Sequence, residues 1–286
     1  MGRTRLRRSR TVLETRRVLA RWRRDGDRIG FVPTMGAIHD GHLSLVRLAR
    51  RSAGRVVASR FVNPLQFGPH EDFRAYPRPA RRDRARLGAA GVDLLWEPQV
   101  RDLYPAGDRT RVRVTGLDSV LEGRSRPGHF EGVATVVLKL LNVVAPDEVW
   151  LGQKDAQQAR ILEQMCGDLF VPVRVRRAPT VREPDGLARS SRNAYLGARD
   201  RAAAAVLARG LASARAALDS GERSAARIER EVRRVWRSEP RVREDYVAVV
   251  DADSLAPVRR VRRRVLVAVA ARVGRARLID NFEWEP

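Results

Sequence analysis

The first 180 residues alternate between short apolar runs and longer segments whose apolar residues recur at helical spacing. The apolar runs, which predict strands, cover residues 28–34, 55–62, 92–98, 148–152 and 171–179. The segments between them, which predict helices, cover residues 41–53, 78–91, 133–144 and 155–169. Strands that alternate with helices are typical of βαβ units, which form a parallel sheet with helices on both faces. Ligands of such sheets bind beyond the carboxyl ends of the strands.

The pattern changes after about residue 182. Residues 199–221 and 223–239 predict two helices, and three apolar runs at 244–253, 263–273 and 276–284 predict strands. We therefore expect an α/β chain with a Rossmann-like domain over residues 1–182 and a smaller C-terminal α+β domain over residues 183–286. The arginine-rich residues 1–27 lack a continuous apolar run, so they predict an amphipathic helix and not a signal peptide.

Composition narrows the class of protein. The chain has 286 residues, 43% of them hydrophobic, which is enough for a large core. No apolar run approaches the roughly 20 residues that span a bilayer, so we expect no membrane partner. Cys166 is the single cysteine, which excludes a disulfide framework within the chain and predicts a core residue in a reducing, cytoplasmic protein.

The net charge of +23 raises the hypothesis of nucleic-acid binding. However, 55 of the 57 basic residues are arginine, and they are scattered along the chain. Abundant Arg, Ala and Gly with scarce Lys, Asn and Ile indicate a GC-rich coding bias, so we expect no specific nucleic-acid partner. Where a scarce type persists, chemistry is a reason to keep it, and the scarce residues that fall in motifs are Met35, Asn63, Lys154 and Asn193.

The segment PTMGAIHDGH, residues 33–42, follows the first predicted strand and enters the first predicted helix. His39 and His42 lie three residues apart there, and Gly36 and Gly41 allow close backbone approach. A helix N-terminus with two imidazoles fits a phosphate. Two alternatives stay open, which are structural capping and a metal pair.

A zinc site would require a third ligand besides this histidine pair. The remaining histidines, His70 and His129, lie in distant predicted loops. Lys154, after another strand, offers a compact charge for a phosphate.

Six segments, taken together, resemble the pantothenate synthetases of the HxGH nucleotidylyltransferase superfamily. They cover residues 33–42, 61–78, 127–147, 152–158, 179–196 and 277–284. The resemblance runs from about residue 25 to the C-terminus. It implies an ATP-dependent ligase in which the carboxylate of pantoate attacks the α-phosphate of ATP to give pantoyl adenylate and pyrophosphate. The amine of β-alanine then attacks the acyl carbon, giving pantothenate and AMP; Mg²⁺ and a homodimer are also implied.

The resemblance also implies residue roles. The catalytic residues would be His39, His42 as proton donor, Lys154 and Arg192. The residues implied in ATP binding are Met35, Gly36, Ala37, Ile38, His39, Asp40, Gly41, His42, Gly152, Gln153, Lys154, Asp155, Val181, Arg189, Ser190, Ser191 and Arg192. Pantoate would be bound by Gln66 and Gln158, with Asn63 beside them, and Asp83 would help to hold magnesium.

Several positions depart from the family pattern. They are Gln153 where glutamate is usual, Ala156 for tyrosine, Arg189 for methionine, Arg60 for a bulky apolar residue and Arg82 for an acidic one. We expect Arg60 and Arg189 to add positive charge near the site. The departures keep one alternative open, a diverged paralogue that joins another hydroxy acid to another amine. The net charge of +23 keeps a second one open, a nucleic-acid-binding derivative with weakened catalysis.

Overall fold

A six-stranded parallel sheet organises the first of two units in the computed structural model, which describes residues 6–69 and 71–286. The first unit extends to Gly152 and also includes Gln158–Ala178. Its strands are β1 (Arg7–Ser9), β2 (Ile29–Thr34), β3 (Arg55–Arg60), β4 (Leu94–Trp96), β5 (Glu148–Gly152) and β6 (Arg174–Ala178). They lie in the order β1-β4-β3-β2-β5-β6, so β2 is central and its carboxyl end lies between those of β3 and β5.

Helices cover both faces of this sheet. They are α1 (Val12–Arg24), α2 (Asp40–Ser52), α3 (Ala80–Ala90), α4 (Val100–Leu103), α5 (Glu122–Ser125), α6 (His129–Val144) and α7 (Ala156–Asp168). One face is covered by α1 packed with α6, and α2 packs with α3 and against the central strands. Gly30 permits the close approach of α2, because a Cβ there would lie 3.2 Å from that of Ala49.

The parallel sheet with flanking helices confirms the predicted fold class, with one difference at the edge. Residues 1–27 predicted a single amphipathic helix, but Arg7–Ser9 form strand β1, which pairs with β4, and α1 begins only after Thr11. Thr11 and Glu14 form a capping box, a local signal that fixes where the helix starts.

The second unit comprises residues 153–157 and 179–286. Its antiparallel sheet has the order β7 (Val242–Asp251), β8 (Val265–Val273), β9 (Ala276–Trp284). Its helices are α8 (Ala198–Ala204), α9 (Val206–Asp219) and α10 (Ala225–Trp236), and an apolar core between sheet and helices buries most of β8. The prediction of one helix over residues 199–221 was wrong, because the Ala205 N–H bonds to Ala202 three residues back and the helix is interrupted there.

Two further features of the described residues are the state of the cysteine thiol and the character of the helices. Cys166 is buried, and burial raises the pKa of its thiol to about 11, so it is protonated at neutral pH and packs as an apolar side chain. Among the described helices, none combines the length and the apolar character needed to cross a membrane.

Candidate active site

The loop between β2 and α2 places two imidazole rings at the first turn of α2. The Nδ1 atom of His39 accepts from the N–H of Gly41 at 3.2 Å, and Nδ1 of His42 accepts from the N–H of His39 at 3.3 Å. Their ring centroids lie 4.0 Å apart. Because a backbone N–H can only donate, the proton of each neutral ring lies on Nε2. Capping therefore orients both rings and assigns the N–H of each neutral ring to Nε2.

Asp83, on α3, holds the preceding part of this loop. Its carboxylate accepts from the N–H of Ala37 at 3.0 Å and from that of Ile38 at 2.8 Å. Gly36 and Ala37 have φ values of 92° and 50°, in the left-handed region. A Cβ on Gly36 would lie 3.0 Å from Oδ2 of Asp83. The tight turn thus depends on glycine and on a buried carboxylate beneath it.

Asp83 does not fit the predicted magnesium role. Its side chain is fully buried, with 0% exposure, and each carboxylate oxygen already accepts from a loop amide. Within residues 6–69 and 71–286, no group of three or more His, Cys, Asp or Glu side chains is arranged to hold a metal ion. This also leaves the metal-pair alternative for His39 and His42 without a third ligand, although His70 itself lies outside the described residues. His129 begins α6 and does not lie in a loop as predicted.

An ion pair anchors the other side of the histidine loop. Asp40 accepts from Arg86 at 2.6 Å, and the same guanidinium donates to the carbonyl of Ile38 at 2.8 Å. Asp40, which was predicted to contact ATP, therefore also ties the first turn of α2 to α3.

Arg60, predicted to add charge near the site, is neutralised in part by Glu97. The Arg60 guanidinium lies 2.6 Å from Oε1 of Glu97, and Arg8 and Arg84 bond to the same carboxylate, each at 3.0 Å. Burial alone would raise the pKa of Glu97, but the hydrogen bonds from Arg84 and Arg60 outweigh it, so this pKa is lowered. Three guanidinium groups share this one carboxylate, so the cluster keeps a net positive charge, and the expectation that Arg60 adds charge near the site stays a prediction.

Gln66 lies beside the histidine loop. It ends a short 3₁₀ turn, Pro64–Gln66, that follows β3, and its Nε2 lies 3.0 Å from Sδ of Met35. Asn63 is 1% exposed, and its amide is engaged by Gly132, Gln66 and Tyr104. Asn63, predicted beside the pantoate-binding glutamines, thus contacts Gln66 directly, and its role toward the substrate stays a prediction.

The backbone of Gln66 is held by a charged group on the N-terminal side of α6. Nδ1 of His129 donates to the Gln66 carbonyl at 2.7 Å, and Nε2 accepts from Arg126 at 3.0 Å. Arg126 also pairs with Glu71 at 2.5 Å. Burial, followed by the charge of Arg126, lowers the pKa of His129 to about 4, so the ring is neutral near pH 7. Sequence reasoning gave no role to His129, although its segment PGHFEG was one of the six matched.

Lys154 lies in the second unit, in a 3₁₀ turn formed by Gln153–Asp155. Its Nζ is 3.3 Å from Oδ1 of Asp155. Asn281, on β9, donates to the carbonyl of Lys154 at 2.8 Å and to that of Gln153 at 3.1 Å. The Gln153 side chain donates in turn to Glu283 at 3.0 Å. Gln153, which replaces the usual glutamate, is thus also a structural tie to β9.

The predicted serine–arginine clamp lies at a third 3₁₀ turn, Ser191–Tyr195, which also packs against β9. Oγ of Ser190 caps it by accepting from the N–H of Arg192 at 3.2 Å. The turn that carries Lys154 and the turn that carries Arg192 are therefore supported by the same strand.

Arg189 does not add an uncompensated charge before this turn. Its guanidinium pairs with Glu183 at 3.1 Å, and its N–H donates to the carbonyl of Val181 at 2.9 Å. The substitution of arginine for methionine is accommodated by a local ion pair.

Gly152 and Gln158 complete the predicted set. Gly152 ends β5, and Gln158 lies half-buried in the first turn of α7, both in the first unit. The first unit thus brings together the histidine loop and Gln66, and the second brings together the segments that contain Lys154 and Arg192.

The first unit is a parallel α/β fold, and a helix N-terminus of the kind that binds phosphate follows its central strand. This combination indicates a nucleotide-binding enzyme. The family model described as pantoate-beta-alanine ligase matches residues 7–283. A pantothenate synthetase of Moorella thermoacetica is 50% identical over 96% of this chain and 97% of that protein. One from Herpetosiphon aurantiacus is also 50% identical, over 95% of this chain and 98% of its own.

Solved structures agree with this result. Pantothenate synthetase from Thermus thermophilus has a TM-score of 0.93 and 48% identity, covering 98% of this chain and all of its own. The pantoate-beta-alanine ligase of Francisella tularensis, solved in complex with β,γ-ATP and β-alanine, has a TM-score of 0.80 and 32% identity, with 97% of each chain covered. The chain belongs to the pantoate–β-alanine ligase family.

Proposed function

We propose that this chain joins pantoate to β-alanine at the expense of ATP, through a pantoyl-adenylate intermediate. Family membership over residues 7–283 supports the overall reaction. The observation that carries the residue roles is the pair of Nε2–H donors of His39 and His42 at the N-terminus of α2, with Gln66 beside the same loop. This arrangement supports the proposal that donors for phosphate and for an acid substrate share one region of the first unit.

In the first step a carboxylate oxygen of pantoate attacks the α-phosphorus of ATP, and pyrophosphate leaves. Negative charge grows on the phosphate oxygens, and the Nε2–H donors of His39 and His42 stabilise it together with the amides at the start of α2. His42 is the proposed proton donor. The loop Met35–His42 binds ATP, and Asp83 acts beneath it by fixing the turn at Gly36.

Lys154 and Arg192 are further proposed ligands of the ATP phosphates. Lys154 supplies a compact ammonium, and Arg192 a planar guanidinium that can bond two oxygens at once. Hydroxyls of Ser190 and Ser191 add donors. The remaining proposed ATP contacts are Gly152, Gln153, Asp155, Val181 and Arg189.

Gln66 and Gln158 bind pantoate in this proposal. An amide suits the task, because it donates to a carboxylate and accepts from a hydroxyl. In the second step the amine of β-alanine, in its neutral form, attacks the acyl carbon. The acyl C–O bond to the phosphate breaks, AMP leaves with that oxygen and its electron pair, and the new amide nitrogen gives up one proton to solvent. The enzyme forms no covalent intermediate, so its contribution is positioning and charge stabilisation.

Three further proposals follow from the resemblance. Magnesium accompanies ATP as a counterion of its phosphates, since Mg²⁺ usually keeps several waters and few protein ligands; no residue of this chain is assigned to it. The chain functions as a homodimer, and it functions in the cytoplasm.

The test is AMP release by the purified chain with ATP and magnesium, with pantoate and β-alanine added singly and together. We expect release of AMP only with both substrates, and of pyrophosphate with pantoate. Turnover with other hydroxy acids or amines but not with these would favour the diverged paralogue. Absence of turnover together with RNA binding that persists at about 0.15 M salt would favour the nucleic-acid-binding derivative.

A further inference from the structure

We propose that Tyr104 and Asn63 form a hydrogen-bonded relay that fixes the orientation of the Gln66 amide, so that Gln66 presents its N–H₂ group to the acid substrate. The relay makes this position selective for a carboxylate, whose oxygens can only accept. The inference rests on the proposed function, because it concerns how the pantoate site recognises its ligand.

The orientation of Asn63 follows from partners whose polarity is fixed. Its Nδ2 lies 3.0 Å from the carbonyl oxygen of Gly132, which can only accept. Its Oδ1 lies 3.3 Å from the N–H of Leu65, which can only donate. If the Asn63 amide were turned over, its oxygen would face the Gly132 carbonyl and its nitrogen would face the Leu65 N–H. Both contacts would then be repulsive. The oxygen and nitrogen of Asn63 are therefore defined by chemistry.

The orientation of Gln66 follows from that of Asn63. Nδ2 of Asn63 has a second proton, and this is directed at Oε1 of Gln66 at 3.1 Å. Oε1 is consequently turned toward the protein interior, and Nε2 is turned toward the histidine loop, where it reaches Sδ of Met35 at 3.0 Å. Thioether sulfur is a weak acceptor, so a carboxylate oxygen of a substrate is a stronger partner for the same group.

Tyr104 adds the outermost bond of the relay. Its hydroxyl lies 2.8 Å from Oδ1 of Asn63, and because that oxygen only accepts, the hydroxyl must donate. Burial raises the pKa of Tyr104 above its ordinary value, so the hydroxyl keeps its proton at every working pH. The ring is fixed by Lys139, whose Nζ lies 4.5 Å from the ring centroid and bonds to the Leu103 carbonyl at 2.7 Å. Lys139 is one of the two lysines of the chain, and it lies in the matched segment 127–147 without a role assigned to it there.

The backbone of Gln66 is held in place, so the conformational freedom that remains is rotation of its side-chain amide. Its backbone carbonyl is already bonded by His129 at 2.7 Å and by Arg126 at 3.2 Å. Its side chain could otherwise present either oxygen or nitrogen with nearly the same shape. An inverted amide would place an oxygen opposite a carboxylate, which is repulsive. The relay therefore determines whether Gln66 offers a donor or an acceptor to the substrate, and it leaves the shape of the site unchanged.

The experiment compares wild type with Asn63→Asp and Tyr104→Phe, measuring the KM for pantoate and for ATP and the inhibition constant of the primary amide of pantoate at saturating ATP. Aspartate at position 63 can still accept from Leu65 and Tyr104 but cannot donate to Oε1, so Gln66 turns its N–H₂ inward. We expect the KM for pantoate to rise more than about tenfold, while the amide analogue weakens much less. For Tyr104→Phe we expect a rise of about three- to tenfold, since a net hydrogen bond contributes about 1 kcal/mol. The KM for ATP should stay within about twofold in both variants.

Tyr246→Phe, in β7 of the second unit, is the matched control for loss of a tyrosine hydroxyl and should resemble wild type. If Asn63→Asp does not fold, Tyr104→Phe decides the matter. An equal rise in the KM for pantoate and for ATP, or an unchanged ratio of pantoate KM to amide inhibition constant, would overturn the relay. Failure of the wild type to use pantoate at all would instead overturn the proposed function.

Discussion

The side-chain amide of Asn281 donates to the backbone carbonyl of Lys154 at 2.8 Å, and so joins strand β9 to the turn that carries the proposed phosphate-binding lysine. The same amide donates to the carbonyl of Gln153 at 3.1 Å. Asn281 itself is buried, so both bonds form away from competing water. The position of Lys154 is thus set by a residue 127 positions later in the chain.

Substitution of Asn281 is expected to impair ATP use more than pantoate use. Asn281→Asp keeps the shape but cannot donate to the two carbonyls, so the turn at Lys154 loses two bonds. At about 1 kcal/mol each, their loss corresponds to a fall in kcat/KM for ATP of roughly tenfold to thirtyfold. Steady-state kinetics with each substrate varied in turn measures it. Asn142→Asp, at an exposed position on α6, is the control and should leave both values unchanged.

The two histidines can be separated into capping and phosphate roles by comparing His39→Asn with His39→Ala. Asparagine is a strong N-cap, so His39→Asn should keep the stability of α2, which His39→Ala should lower by about 1 kcal/mol. Both variants lack the Nε2–H donor, so both should reduce pantoate-dependent pyrophosphate release by about 10²- to 10³-fold. His42→Ala should show a reduction of similar size. Recovery of wild-type turnover in His39→Asn would mean that capping alone explains His39.

Asp83→Asn tests the structural role of the carboxylate against the magnesium role. Asparagine offers one acceptor for the two amides of Ala37 and Ile38, so we expect a loss of about 1–3 kcal/mol in stability and a raised KM for ATP. The magnesium concentration for half-maximal activity, measured at fixed MgATP, should stay as in wild type. A clear increase in that concentration would restore Asp83 as a metal ligand. Asp168→Asn, at an exposed position at the end of α7, is the matched control.

Much of the fold could be predicted because its signals are local. The alternation of strands and helices placed β2, β3, β5 and all three C-terminal strands within a few residues of their bounds. The strand at Arg7–Ser9 could not be predicted, because three residues with two arginines carry no strand pattern and the strand exists through its pairing with β4. The interruption at Ala205 was missed for a similar reason, since alanine has high helix propensity on both sides.

In the candidate site, too, features with a local sequence signal could be predicted and features that depend on distant partners could not. Local motifs identified His39, His42 and Lys154, because each lies where a strand ends. The supporting roles of their partners were not predicted: Asp83, named only for magnesium, supports the loop from α3, and Asn281 supports Lys154 from β9. Such hydrogen bonds join residues that are distant in sequence, so no sequence spacing indicates them.

The neutral state of His129 gives the stability of the first unit a predictable pH dependence. The unfolded chain binds the histidine proton with the ordinary pKa of 6.5, whereas burial, and then the charge of Arg126, lowers the folded-state pKa to about 4. Between these values the unfolded state binds more protons, so this group makes stability fall as the pH is lowered from about 6.5 to about 4. The full difference corresponds to about 3 kcal/mol. Glu71 and Glu122 face the same ring and act in the opposite direction on its pKa.

Urea unfolding of wild type and His129→Gln at a series of pH values from 4 to 8 measures this contribution. Glutamine can still donate to the Gln66 carbonyl but does not titrate, so the difference in unfolding free energy between the two proteins should change with pH mainly between about 6.5 and 4. Above pH 7 the difference should be constant. A difference that is the same at every pH would mean that the ring is not held neutral in the folded state, and that its contact with Gln66 is made by the charged form.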